Sequence, residues 1–139
     1  MPDRVRDACE ACFEDHQHDC SGFVRAVGAA LDVTIAGQAN DIVNALRAGD
    51  PWRPLADGIA AAASAAAGKL VVGGLRGDEQ ASPSEHGHVV VVVTGPLAHG
   101  RCPSAYWGRL GGEGSKFTTT NFAWLEPDLG RVSYSERDI

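Results

Sequence analysis

The spacing of apolar residues changes once along the chain, and this change constrains the fold more than any other feature. Before Gly68, apolar residues recur at the spacing of a buried helical face, as in residues 5–13 and 20–31. After Lys69 the pattern becomes strand-like, and residues 88–93 contain five consecutive valines, which favour a buried strand. Helices followed by strands predict an α+β fold.

Two further helices are predicted before the change. One covers residues 40–46, and the other is rich in alanine, begins after an N-cap at Asp57 and ends at Gly68. Residues 78–87 hold hardly any apolar side chain and are expected to form an exposed loop between two strands. The other predicted strands are residues 70–72, 105–110, 122–125 and 131–135.

Length and charge restrict the class of protein. A chain of 139 residues with 44% hydrophobic content is expected to form a single domain, residues 1–139. The net charge of -6, without any Lys/Arg cluster longer than two, argues against a nucleic-acid partner. The longest apolar stretch, residues 58–67, is too short to cross a bilayer, and the first residues lack a secretory h-region. Neither membrane insertion nor the general export route is therefore expected.

One cysteine lies where a thiol can act as a nucleophile. Cys20 falls in the first turn of a predicted core helix, where unpaired N–H groups favour a thiolate and are expected to lower its pKa. A cysteine hydrolase also needs a base held on rigid structure, and His88 opens the five-valine strand. His86 is the second candidate for the base, because it precedes that strand.

The remaining cysteines allow other interpretations. Cys9 and Cys12, followed by His16, His18 and Cys20, could form a zinc site, although the first two also fall on the apolar face of a predicted helix. Cys102 could pair with an N-terminal cysteine in an oxidising compartment, but spacing alone does not show this.

Two motifs together resemble a known signature. The segment Asp19-Cys20-Ser21-Gly22-Phe23-Val24, followed much later by Gly87-His88-Val89, resembles the paired signature of NlpC-type cysteine peptidases. With residues 37–40, 68–77 and 87–97, the motif order resembles the first family of type VI secretion amidase effectors. The resemblance covers residues 8–112 and leaves residues 113–139 without a recognisable motif.

The resemblance implies a papain-like α+β fold, with N-terminal helices packed on an antiparallel sheet, and a hydrolase that needs no cofactor or metal. It implies that Cys20 is the nucleophile and His88 the base, and that Asp19 and Ser21 help to hold the substrate, although both could simply cap the helix. The implied reaction cleaves the peptidoglycan stem peptide between γ-D-glutamate and meso-diaminopimelate. The implied setting is secretion without a signal peptide into the periplasm of a rival Gram-negative cell, with an immunity protein as partner.

Some questions stay open at this stage. Many NlpC-type enzymes carry a polar residue, often His or Asn, on the strand after the base, whereas residues 104–109 offer neither. A backbone carbonyl or Tyr106 could take that place, or it could be empty. An inactive module that binds peptidoglycan peptides or a partner protein, and a Cys/His acyltransferase with another substrate, are the alternative functions.

Overall fold

The computed structural model describes residues 3–139, and all of its strands but one follow the helices, as the apolar pattern indicates. The helices are α1 (Arg4–His16), α2 (Cys20–Ala30), α3 (Ala39–Arg47) and α4 (Gly58–Ala66). The strands are β1 (Arg53–Leu55), β2 (Leu70–Leu75), β3 (His88–Val92), β4 (Ser104–Trp107), β5 (Ser115–Thr119) and β6 (Ser133–Arg137). They form one antiparallel sheet in the order β1-β6-β2-β3-β4-β5, which confirms the predicted α+β class.

Two of the four helices begin at an aspartate that accepts a hydrogen bond from their first turn, Asp3 at α1 and Asp57 at α4. At the start of α3 the Gln38 N–H instead donates to the Asp41 carboxylate at 3.1 Å. The Asp19 side chain at the N-cap of α2 makes no capping hydrogen bond. The carboxylate of Asp19 is therefore available for other contacts.

The sheet is covered on both faces, which explains why all five residues of β3 are buried. Helices α1 to α3 pack on one face, against the face that carries Val89 and Val91. Helix α4 and the C-terminal segment pack on the other face, against Val90 and Val92. Successive residues of a strand point to opposite faces, so His88 shares the second face with Val90.

The sequence prediction was wrong in its details after β4. Residues 122–125 do not form a strand, because the chain turns there through a short 3-10 helix, Thr120–Phe122. The last strand begins two residues later than expected, at Ser133. Strands β1 and β5 were missed, because both are short and mostly polar or exposed.

All four cysteines are free thiols, so the disulfide that the sequence left open for Cys102 is not formed. Within residues 3–139, none of the helices combines the length and the apolar character needed to span a bilayer.

Candidate active site

The position of Cys20 is set by the loop between α1 and α2, which lies against the end of β4. The Arg109 N–H donates to the Gln17 carbonyl at 2.9 Å. A Cβ atom at Gly108 would come within 2.5 Å of the Asp19 carbonyl oxygen, so only glycine permits this approach. The loop is thereby held, and α2 begins at Cys20 at the edge of the sheet.

The Cys20 thiol is buried, with 6% of the residue exposed, and donates to the Gly87 carbonyl at 3.8 Å. Burial raises its pKa and outweighs the Val89 N–H, which lowers it, while the Asp19 carboxylate raises it further. The sequence-based expectation of a lowered pKa is therefore wrong for the free protein. Burial dominates, and the resting group is a neutral thiol.

His88 is the first residue of β3, where it pairs with Leu75 of β2. Its ring packs edge-on against Trp107 and Trp124, with ring centroids 6.3 and 5.3 Å apart. Burial lowers its pKa to about 3, and the positive charge of Arg109 contributes to the same shift. The imidazole is consequently neutral at pH 7, as a base must be before it accepts a proton.

Cys20 and His88 line the same open cavity, whose volume is ≈ 560 Å³. The thiol contacts the backbone of Gly87 and Val89, the two residues that flank His88, although no hydrogen bond joins thiol and imidazole. His86 lines the cavity too, but it is exposed and precedes the strand. The structure thus brings together the two residues that the sequence singled out for catalysis.

Asp19 and Ser21 lie beside Cys20, around a narrow neighbouring cavity. The Ser21 hydroxyl is 3.0 Å from a carboxylate oxygen of Asp19 and 3.0 Å from the amide oxygen of Gln38. Ser21 is only 2% exposed, whereas Asp19 is half-buried. The Asp19 carboxylate occupies the space that a side chain at position 22 would fill, which explains the glycine there. Both residues line the narrow cavity, and the Ser21 hydroxyl contacts the Asp19 carboxylate there.

Comparison with known proteins finds a relative of this chain. The chain is similar to the peptidoglycan amidase Tse1 of Pseudomonas aeruginosa, with 35% identity over 123 residues, or 86% of this chain and 75% of that protein. The chain belongs to the family of this amidase. The resemblance inferred from the motif order is confirmed at this level. No model of a protein family matches the chain.

Tyr106, which the sequence offered as a residue that could orient His88, makes its hydrogen bonds elsewhere. Tyr106 lies on the sheet face that packs on the helices, where its hydroxyl donates to Glu10 and accepts from Arg6 at 3.1 Å. His88 is on the opposite face. Its Nε2 is buried and has no hydrogen-bond partner, so none of residues 3–139 orients the imidazole through this nitrogen.

The C-terminal segment supplies cavity residues that sequence reasoning missed. Arg109, Asn121 and Trp124 all line the cavity, and Trp124 contacts the His88 ring directly. The tryptophan had been placed in a strand, and its local pattern carries no signal for this contact. The packing of the segment on the second sheet face creates it.

The zinc alternative receives no support from the arrangement of its proposed ligands. Cys9 is fully buried in the core between α1 and the sheet, and the His18 imidazole contacts the Gly112 carbonyl. Across residues 3–139, no three His, Cys, Asp or Glu side chains come close enough together to hold a metal ion.

Proposed function

We propose that the chain is a peptidoglycan amidase in which Cys20 is the nucleophile and His88 the general base. The observation that carries this proposal is the shared cavity, where a thiol and a neutral imidazole meet in a member of an amidase family. A nucleophile beside a base in an open cleft is the arrangement that acyl transfer requires.

The protonation states indicate how the first step proceeds. The thiol pKa is raised and the imidazole pKa is lowered, so the resting pair is neutral rather than a thiolate and an imidazolium. His88 therefore takes the thiol proton as the sulfur bonds to the amide carbonyl carbon. The Cys20 backbone N–H lies in the first turn of α2 and is the first candidate donor to the developing oxyanion.

The second half of the reaction returns the enzyme to its starting state. Protonated His88 gives its proton to the leaving amine as the carbon–nitrogen bond breaks, which leaves a thioester on Cys20. His88 then removes a proton from water as the water attacks the thioester. The acyl product leaves as a carboxylic acid, and the Cys20 thiol recovers its proton.

The substrate bond that we propose is the amide between γ-D-glutamate and meso-diaminopimelate. Asp19 faces the narrow cavity beside the nucleophile and accepts hydrogen bonds from the stem peptide. The hydroxyl of Ser21 holds that carboxylate in place and does not itself reach the substrate. The proposed unit of activity is one domain, residues 1–139.

The proposed site of action is the compartment that contains the substrate. A peptidoglycan amidase made as a type VI secretion effector acts in the periplasm of a target Gram-negative cell. A producing strain then needs an immunity protein, and the open cavity offers a surface that such a partner could occlude.

Digestion of purified muropeptides, followed by mass spectrometry, tests the proposal. The wild-type chain is expected to release fragments with a new carboxyl and a new amino terminus at the proposed bond, and Cys20→Ala is expected to release none. Cys12→Ala is the matched control, since Cys12 is half-buried on α1 and does not line the cavity. Binding without cleavage would indicate a binding module, and transfer of the acyl group to an acceptor other than water would indicate an acyltransferase.

A further inference from the structure

The catalytic cavity contains one arginine, Arg109, which follows β4. Its guanidinium donates to the Phe122 carbonyl at 3.3 Å, and the residue is half-buried. The one acidic residue of the cavity wall, Asp128, is 2% exposed and accepts a hydrogen bond from the Ala81 N–H at 2.7 Å. Asp128 is therefore engaged with the backbone, and Arg109 gives the cavity its positive charge.

Arg109 has no carboxylate partner in the described part of the chain, whereas four of the other nine arginines of this acidic chain have one. Among residues 3–139 no carboxylate lies within ion-pair distance of Arg109. A guanidinium has five N–H donors and binds carboxylates with two parallel hydrogen bonds. A half-buried guanidinium with a single carbonyl contact therefore has donors left for a ligand. The arginines that are paired with carboxylates are Arg47, Arg53, Arg76 and Arg101.

Arg109 is also close to the reacting groups. It shares the cavity wall with Cys20 and His88, and its charge acts on the imidazole. An anion held by Arg109 would thus lie in the same cavity as the amide that Cys20 attacks.

We propose that Arg109 binds a free carboxylate next to the scissile amide and selects substrates that carry one. This inference rests on the proposed function and names the chemical group that the site recognises. A γ-linked glutamyl residue has such a group, because its α-carboxylate is not used in the peptide bond. Conversion of that carboxylate to a carboxamide removes its charge and one acceptor oxygen, so the guanidinium can no longer form two parallel hydrogen bonds to it.

Binding of the carboxylate has a consequence for the base. It neutralises the cation that helps to keep the His88 pKa low, so His88 becomes somewhat more basic when the correct substrate is bound. The effect is partial, since burial is the larger cause of the shift.

Two matched stem peptides test the inference. One contains γ-D-glutamate before meso-diaminopimelate, and the other contains D-isoglutamine, its α-carboxamide. The wild-type chain is expected to prefer the carboxylate peptide by roughly 10- to 150-fold in kcat/KM, the range for a hydrogen bond to a charged group. Arg109→Gln is expected to bring this ratio towards one, mainly by loss on the carboxylate peptide. Arg109→Lys keeps the positive charge but cannot form two parallel hydrogen bonds, so its kcat/KM ratio should lie between those of the wild-type chain and Arg109→Gln.

Arg101→Gln is the control, because Arg101 pairs with Glu126 and does not line the cavity, and it should keep the wild-type ratio. Equal loss on both peptides in Arg109→Gln and Arg109→Lys would show a structural role and overturn the inference. Equal cleavage of both peptides by the wild-type chain would overturn the inference alone. Failure of the wild-type chain to cleave either peptide would overturn the proposed function as well.

Discussion

The two walls of the catalytic cavity are built in different ways. The helix wall, residues 19–21, is a contiguous segment at the start of α2 that carries Cys20. The C-terminal wall, residues 109–125, has little regular structure outside β5 and contributes Arg109 and Trp124. The helix wall can be recognised from local sequence, whereas the C-terminal wall exists only because the chain packs back on the sheet.

This difference corresponds to a division of tasks. In our proposal the helix wall supplies the reacting thiol, while the C-terminal wall sets the environment of the base. Trp124 buries the His88 imidazole and Arg109 adds a positive charge, and both effects keep the imidazole neutral. Loss of the Cys20 thiol should therefore remove activity, and changes in the C-terminal wall should shift its pH dependence and specificity.

The largest effect is expected for the base. His88→Ala should lower kcat by roughly 10²- to 10⁴-fold, the usual contribution of a general base. His86→Ala is the matched comparison, because His86 lines the same cavity but is exposed in the preceding loop, and it should stay within several-fold of wild type. Muropeptide turnover measures both. Near-native activity of His88→Ala with loss in His86→Ala would reverse the assignment.

Truncation of the C-terminal wall should affect stability and the pH profile together. Trp124→Ala removes a side chain that is 7% exposed and should cost about 3–5 kcal/mol in the free energy of unfolding. It also opens His88 to water, so its pKa should rise and the acid limb of kcat/KM should move to higher pH. Urea titration and a pH–rate profile measure these effects. Phe122→Ala is the control, since Phe122 is 68% exposed, and an equal loss there would contradict the role of Trp124.

The buried imidazole should make the fold sensitive to mild acid. The His88 pKa is about 3 in the folded chain and 6.5 in the reference state, so the unfolded chain binds the proton first as the pH falls. The free energy of unfolding should therefore fall by about 1.4 kcal/mol per pH unit below pH 6.5. The carboxyl groups with lowered pKa values titrate below 4.5, so the interval from pH 6.5 to 5 isolates histidine.

Denaturant titration of the wild-type chain and of His88→Gln over that interval measures the contribution. The variant should lose most of the slope. An unchanged slope would place the acid sensitivity elsewhere in the chain.

The smallest effect concerns the support of the helix wall. Ser21→Ala removes the hydroxyl that contacts Asp19 and should lower kcat/KM by roughly 5-fold, equivalent to one hydrogen bond of about 1 kcal/mol. The change should appear mainly in KM, because the Asp19 carboxylate is less well held. Asp19→Asn should cost more than Ser21→Ala if Asp19 contacts the substrate. The opposite order, measured by steady-state kinetics on one stem peptide, would show that Ser21 is the contact residue.

The sequence predicts the parts of this molecule that depend on local pattern. Helices α1 to α4 and strand β3 follow from apolar spacing, and Cys20 and His88 are found because each opens such an element. The turn around Trp124 was taken for a strand, because its apolar residues do not show in the sequence that Ala123 and Trp124 are buried while Phe122 and Leu125 are exposed.

The protonation state of Cys20 could not be predicted from local sequence pattern either. The helix start favours a thiolate at Cys20, but the burial that raises the thiol pKa depends on packing between segments far apart in the chain. The same is true of His88, whose aromatic neighbours come from β4 and from the C-terminal wall.

The central claim is that His88 takes the proton of the Cys20 thiol when this thiol attacks. An electrophilic analogue of the substrate tests it most directly. A stem peptide whose scissile amide is replaced by a nitrile should label Cys20 alone, at one equivalent, as mapped by mass spectrometry. Because the resting thiol is neutral, labelling requires His88 to take the proton, and His88→Ala should slow it by roughly 10²-fold or more. Labelling of Cys9, Cys12 or Cys102, or a wild-type rate in His88→Ala, would contradict the account.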